Sequence, residues 1–236
     1  MKDLFGQAIL DFQTNTSPED IITETNISEA DEMDVAYLFR SFDDMPKLEQ
    51  RALQLAKGKI LDVGCGAGSH TLYLQEKGFD VTAIDISKNA IKACQLRGLK
   101  NARVQNILDL DSNLPENKFD TILLLMNGTG IFQTIAETSN YLQKLKSLLH
   151  PNGQILIDSS DIIYMYDENE DGSFLVPADS YYGELTFTIS YKNQTEESFP
   201  WLYLDYNTLQ NAANANDLQS ELIEEGEHFD YLARLF

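Results

Sequence analysis

The chain has 236 residues, of which 43% are hydrophobic and 23% charged, a composition that belongs to folded proteins and leaves room for one or two domains. Seventeen Lys and Arg against 38 Asp and Glu give a net charge of −21. No basic footprint for nucleic acid is visible, since Lys57/Lys59 and Arg97/Lys100/Arg103 are short and lie on strand and helix flanks. Met1 to Leu10 has no basic, apolar leader pattern and no apolar run approaches a membrane span, so a cytoplasmic protein is expected. Two cysteines and three scattered histidines, His70, His150 and His228, provide no metal-ligand spacing.

Residues 1–57 read as a polar, helical cap segment. Ser17-Pro18-Glu19-Asp20 has the composition of a helix start, Ser28 to Arg40 reads as a second helix, and a third is expected after Pro46, where Leu48, Ala52, Leu55 and Ala56 recur at helical spacing. After Gly58 the pattern changes. The run Lys59 to Val63 predicts a strand, a helix begins near Thr71, and Val81 to Asp85 is a second strand. A helix from Ser87 to Arg97 follows, then a short strand at Arg103–Gln105, a strong one from Thr121 to Met126, a helix from Thr134 to Leu149 and a strand at Gln154–Ile157. Continuous rather than alternating apolar strands point to a parallel sheet covered on both faces. Residues 161–183 form a tyrosine-rich insertion. Beyond it, alternation over Glu184–Tyr191 and the run Phe229–Leu235 predict two further strands, the first antiparallel.

The chemistry concentrates in Ile60-Leu61-Asp62-Val63-Gly64-Cys65-Gly66-Ala67-Gly68-Ser69. Alternate glycines let a chain turn sharply from strand to helix and let a ligand approach the backbone where a Cβ would collide. Ser69 stands where a dinucleotide fingerprint carries its last glycine, so the pattern is G-x-G-x-G and disfavours a nicotinamide or flavin oxidoreductase. Asp85, at the end of the next strand, is placed to accept the two hydroxyl hydrogens of a ribose. Asp62 is either a plain strand-end acid or an organiser of the ground around a cationic amino-acid tail. Cys65 reads as a small loop residue without a neighbouring base, and His70 as a helix-surface residue.

With LDVGCGAG, VTAIDIS, ILDLDSNLPENKFDTILLLMNGTG and LLHPNGQILIDSS in this order, the chain resembles the class I S-adenosylmethionine-dependent methyltransferases over about residues 45–236. The resemblance implies a Rossmann-like α/β fold, a seven-stranded, mostly parallel sheet with an antiparallel last strand, here with a helical N-terminal appendage and a cofactor domain at 58–236. It implies S-adenosylmethionine as cofactor, held by Asp62, Gly64, Cys65, Gly66 and Gly68, by Asp85 and Ile86, by Asn106, Ile107 and Leu108, and by Asn127. Asn106 stands where the family often has an acid for the adenine amino group. Asn127, closing the fourth strand, sits where the family faces the transferable methyl and is the catalytic candidate.

A small-molecule acceptor is expected, with no nucleic acid and no membrane partner, and the oligomeric state is left open. A cofactor-binding module without turnover is the alternative. No His–carboxylate pair is evident for a general base. Tyr164, Tyr166, Tyr181, Tyr182, Trp201, Tyr203 and Tyr206 either line an acceptor pocket or pack the insertion and its strands. With residues 1–57 and 161–183 as a cover, removing residues 1–40 is expected to spare cofactor affinity and to remove methyl transfer.

Overall fold

A computed structural model describes residues 2–236. In chain order the chain forms α1 (Leu4–Thr14), β1 (Ile21–Thr25), β2 (Ser28–Met33), α2 (Lys47–Leu55), β3 (Lys59–Val63), α3 (Ser69–Glu76), β4 (Asp80–Asp85), α4 (Lys88–Leu96) and β5 (Ala102–Val104). Then come β6 (Phe119–Leu124), α5 (Thr138–Ser147), β7 (Leu149–Ser160), β8 (Glu184–Tyr191), β9 (Gln194–Thr195), β10 (Phe199–Leu202), α6 (Tyr206–Ala215), β11 (Ser220–Glu225) and β12 (Asp230–Leu235). Seven strands make one sheet in the order β11-β12-β7-β6-β3-β4-β5. Strands β7, β6, β3, β4 and β5 run parallel, and β12 is antiparallel to both of its neighbours. This is the sheet that the resemblance implies, with one exchange: Glu184–Tyr191 forms a strand, β8, but outside this sheet, and one edge of the sheet is β11, which the sequence reading did not anticipate.

Its core explains the continuous apolar strands. Ile122 and Leu124 of β6 meet Leu142 and Leu145 of α5 on one face, while Leu123 meets Leu53 of α2 and Leu74 of α3 on the other. A strand covered on both faces has no position to spare for solvent. The chain leaves β3 towards β4 and β5 on one side, then returns to β6 on the other, so a crevice opens where the strand order reverses, at the carboxyl ends of β3 and β6.

The N-terminal segment departs from its helical reading. Only the helix after Pro46 is found, as α2; a further helix, α1, precedes the region expected to start one. Residues 17–33 instead hold the hairpin β1–β2, which joins β8 and β10 in a second sheet of order β10-β8-β1-β2, with β9 paired to β8. The reason is tertiary. Ile21 is fully buried against Leu4, Ala8, Val35, Ile189 and Tyr191, and the strand register with β8 satisfies backbone groups that a short, acid-rich helix would have left to water. Residues 35–39 form a 3-10 turn rather than a helix end, capped by the Asp34 carboxylate accepting from the Ala36 amide.

The segment is therefore no detachable lid. Ile9, Leu10 and Leu38 bury themselves against Ala67 of the glycine turn and Ala90 and Ala93 of α4. Deleting residues 1–40 strips two strands from the second sheet and uncovers this cluster, so the expectation that cofactor affinity would survive the deletion is withdrawn. Among the described residues no helix is long and apolar enough to cross a membrane, and no group of three His, Cys, Asp or Glu is placed to hold a metal ion.

Candidate functional site

The glycine turn follows β3 at the crevice, and its three glycines serve three different needs. Gly64, Gly66 and Gly68 all have positive φ, at 71°, 52° and 80°. At Gly68 a Cβ would press on Leu99 and on the Cys94 sulfur at 2.7 and 2.9 Å, so this glycine allows α3 to pack against α4. At Gly64 a Cβ would touch Ile131 at 3.0 Å. At Gly66 it would meet no protein atom within 4 Å. The backbone at Gly66 thus borders open space, the property a ligand cradle needs.

Asp85 closes β4 across from that cradle. Its Oδ2 accepts from the Gly66 amide at 3.0 Å and its Oδ1 from the Ser87 amide at 2.8 Å. Burial raises the carboxyl above the usual carboxylate range, and the Ser87 and Gly66 amides pull it back. A carboxylate has about four acceptor positions, so each oxygen keeps one for a hydroxyl. Next to it Ile86 is 71% exposed, an apolar side chain held in the open at the end of a buried strand. Asn106 is exposed at the end of β5 and spends its Oδ1 on the Leu108 amide at 2.9 Å. Ile107 is buried and Leu108 half-buried behind it. Asn127, at φ 58°, follows β6 and its Oδ1 accepts from the Ser160 hydroxyl at 3.2 Å.

Two sequence candidates lie beneath this surface. Asp62 is buried and accepts from the Thr71 hydroxyl of α3 at 2.5 Å; burial raises its carboxyl, with His70 and Thr71 opposing. Its side chain braces the turn from below. Cys65 is buried with its sulfur 4.0 Å from that of Cys94, which itself donates to the Gly66 carbonyl at 3.2 Å. Hydrogen bonding to Cys94 and burial push the Cys65 thiol well above its ordinary range, so it is no thiolate nucleophile.

His70 corrects two expectations. It is buried rather than on a helix surface, and it does form a His–carboxylate pair: its Nε2 lies 2.6 Å from Glu49 Oε2. Glu49 also receives the Arg40 guanidinium, Nη2 to both oxygens at 2.5 Å. Burial by itself would lift the Glu49 carboxyl and lower the His70 imidazole; their mutual bond and the nearby charges win, holding Glu49 low and His70 high. The pair locks α2 and the end of the N-terminal segment to α3, under the glycine turn. Glu49 stands 21 residues before His70 on another element, so no local spacing signals it.

Asp158 is the other residue the sequence reading missed. It is buried near the end of β7 and accepts from the Met126 and Gly128 amides, each at 2.9 Å. The only local sign is a polar triplet, Asp158-Ser159-Ser160, ending an apolar strand. Beyond it, the Tyr182 hydroxyl donates to Asp161 at 2.8 Å, Tyr181 donates to Asp205 at 2.7 Å, and Trp201 fills the space that Gly130 leaves free. Tyr181 and Tyr182 are thus fixed by carboxylate partners, whereas Tyr164 is half exposed and stacks on Phe229.

A doubly wound sheet with a glycine turn and a strand-end acid beside one open cradle is the arrangement of a nucleotide-type cofactor domain, and it is the one that the resemblance to class I methyltransferases implies. The comparisons with known proteins agree with that class. A family model described as "Methyltransferase domain" matches residues 55–227, and the chain belongs to this family. A solved S-adenosylmethionine-dependent methyltransferase from Bacteroides fragilis, in complex with S-adenosyl-L-homocysteine, superposes with a TM-score of 0.90 at 44% identity, covering 100% of this chain and 94% of that one. Among curated relatives, a ubiquinone biosynthesis O-methyltransferase from Xanthomonas euvesicatoria is 30% identical over 112 residues, 45% of each chain. A putative methyltransferase, YqeM, from Bacillus subtilis is 31% identical over 107 residues, 43% of this chain and 42% of its own. The match spans less than half the length of these curated relatives.

Proposed function

We propose that this chain transfers a methyl group from S-adenosylmethionine to a metabolite-sized acceptor. The observation that carries the reading is the open cradle at Gly66, facing the Asp85 carboxylate and the exposed Ile86 at one end of the sheet. These residues fit the cofactor: the turn leaves room for it, Asp85 has acceptor positions for a ribose, and Ile86 gives an apolar surface for an adenine. Asn106, at the next strand end, has its Oδ1 engaged by the Leu108 amide and offers its side-chain NH2 as a donor to an adenine ring nitrogen, and Asn127 is assigned to the acceptor side. Asp62 and Cys65 support the turn from below.

When bound, S-adenosylmethionine supplies a sulfonium-activated methyl. The protein's part is then to hold a nucleophile in line at roughly 3–3.5 Å and to exclude water. α1 and the 35–39 turn pack on Ala67 of the glycine turn and on α4, which keeps water from that flank of the turn. Asn127 and Ser160, with Tyr182 and Asp161 beyond them, give the acceptor side hydrogen-bonding groups suited to orienting a small polar acceptor. The charge of −21 argues against a polyanionic acceptor. The His70–Glu49 pair is buried below the turn, and it is assigned no proton-transfer role.

Thermal unfolding with a cofactor panel tests the reading. S-Adenosylmethionine or S-adenosyl-L-homocysteine at 100 times its dissociation constant should stabilise the fold by about 2.7 kcal/mol. A stabilisation by NAD or FAD alone would overturn it. Within the site, Asp85→Ala removes a charged acceptor from two hydroxyls. Such bonds contribute about 1.5–3 kcal/mol, so affinity for S-adenosyl-L-homocysteine measured by calorimetry should fall roughly ten- to a hundredfold in a folded variant. An unchanged affinity would misplace the ribose.

A further inference from the structure

Met126 and Asn127 are consecutive residues with Cβ atoms and positive φ, at 68° and 58°. Each is costly for an L-residue, and two in a row need an outside hold. That hold comes from one side chain. Asp158 Oδ2 accepts from the Met126 amide and its Oδ1 from the Gly128 amide, so the carboxylate grips the turn on both sides of Asn127. Two residues along the same strand, and so on the same face, the Ser160 hydroxyl holds the Asn127 side chain.

We infer that Asp158 is a positioning residue: its carboxylate clamps the left-handed Met126–Asn127 turn and thereby sets Asn127 against the bound cofactor. The inference rests on the proposed reading of Asn127, and the clamp itself is a separate observation.

The clamp needs both oxygens as acceptors. Protonation turns one of them into a hydroxyl and leaves an amide without its charged partner. Burial raises the Asp158 carboxyl to about 6, with the Gly128 and Met126 amides opposing. Of the charged groups facing it, Glu49 on α2 pushes it further up and His70 on α3 pulls it down. The Tyr37 hydroxyl from the 35–39 turn and the Tyr231 hydroxyl from β12 also lie within its field, and both stay neutral there, raised by burial. Glu49 is itself paired with Arg40 and His70, so its push is partly spent. The geometry therefore makes the turn sensitive to mild acid.

The test uses the intact chain labelled with 15N and with 13C at carboxyl carbons. The Asp158 Cγ signal and the Met126 and Gly128 amide signals should titrate together with a midpoint near 6. In Asp158→Asn the two amide signals should not titrate in that range. By calorimetry the wild type should lose about tenfold in affinity for S-adenosyl-L-homocysteine between pH 7.5 and pH 5, the loss of one charge-assisted bond. The Asn variant should be weak at both pH values. If it fails to fold, the wild-type Cγ and amide titrations decide the clamp and the wild-type affinities at the two pH values decide the positioning role. Amide signals that stay flat from pH 5 to 7.5 overturn the clamp. Amides that titrate while affinity stays constant overturn the positioning role and leave the cofactor reading intact. Wild type that binds S-adenosyl-L-homocysteine at no pH overturns the functional reading and, with it, the positioning role.

Discussion

Replacing Glu49 by alanine is expected to cost the fold about 3–5 kcal/mol, the range for removing one partner from a buried ion pair. Arg40 and Glu49 side chains are each 5% exposed, and His70 is 9% exposed against the same carboxylate. Without Glu49, a guanidinium and an imidazole stay in the interior with little to answer them. The Arg40 Nε is already buried without a partner, so Arg40 has few alternatives; its Nη1 holds the Tyr37 carbonyl at 2.6 Å. A domain of this size is stable by roughly 5–15 kcal/mol, so the loss is a large fraction of the whole. Urea unfolding followed by tryptophan fluorescence measures it through Trp201. A change of under 1 kcal/mol would show that the triad contributes little to holding α2 on α3.

The pair also predicts how stability varies with pH. Glu49 is held below its ordinary value of 4.5, so its contribution is present above pH 4.5 and is lost as pH falls through its lowered folded value. His70 is held above 6.5, so its contribution is complete below pH 6.5 and is lost as pH rises through its raised folded value. Asp158 acts in the opposite sense to Glu49. It is raised from 3.8 to about 6, so its ionisation in the interior opposes folding progressively as pH climbs through that interval. Together the groups favour a stability maximum on the mildly acidic side of neutrality. The decline above pH 6.5 should be much shallower in Glu49→Ala, because His70 then has lost its largest reason to stay protonated.

The alternation of strands and helices, the glycine turn and Asp85 could be read from the chain because each depends on local pattern: continuous apolar runs, glycines at fixed offsets, an acid at a strand end. The hairpin over residues 21–33 could not. Ser28-Glu29-Ala30-Asp31-Glu32-Met33 is mostly exposed in the structure and has the composition of a helix surface. It is a strand because β1 pairs with β8, more than 160 residues away, and β2 completes that edge. Strand preference of this kind belongs to the partner, not the segment. The same applies inside the site. Asp158 is distinguished by the two amides it reaches across β6, and Glu49 by the His70 ring below the glycine turn, and neither neighbour is near in sequence.

Gly66→Val should abolish cofactor binding, with affinity for S-adenosyl-L-homocysteine lowered by more than about a hundredfold, while the protein stays folded. The three glycines of the turn separate here. At Gly68 any side chain meets Leu99 and Cys94, so substitution there attacks the packing of α3 on α4. At Gly66 no protein atom lies within 4 Å of the position a Cβ would take, so the fold suffers only the strain of a branched residue at φ 52°, on the order of 1–2 kcal/mol. The added methyl groups fill the open cradle instead. A loss of about 2.7 kcal/mol of binding free energy is already a hundredfold in affinity, and steric exclusion of the ligand exceeds that. Cys65→Ser is the control. Its sulfur lies under the turn against Cys94, away from the cradle, so this variant should bind within a few-fold of wild type. Calorimetry on both variants, with circular dichroism to confirm the fold, decides. A Gly66→Val protein that binds normally would place the cofactor elsewhere on the sheet, and a Cys65→Ser protein that fails to bind would return the thiol to the site.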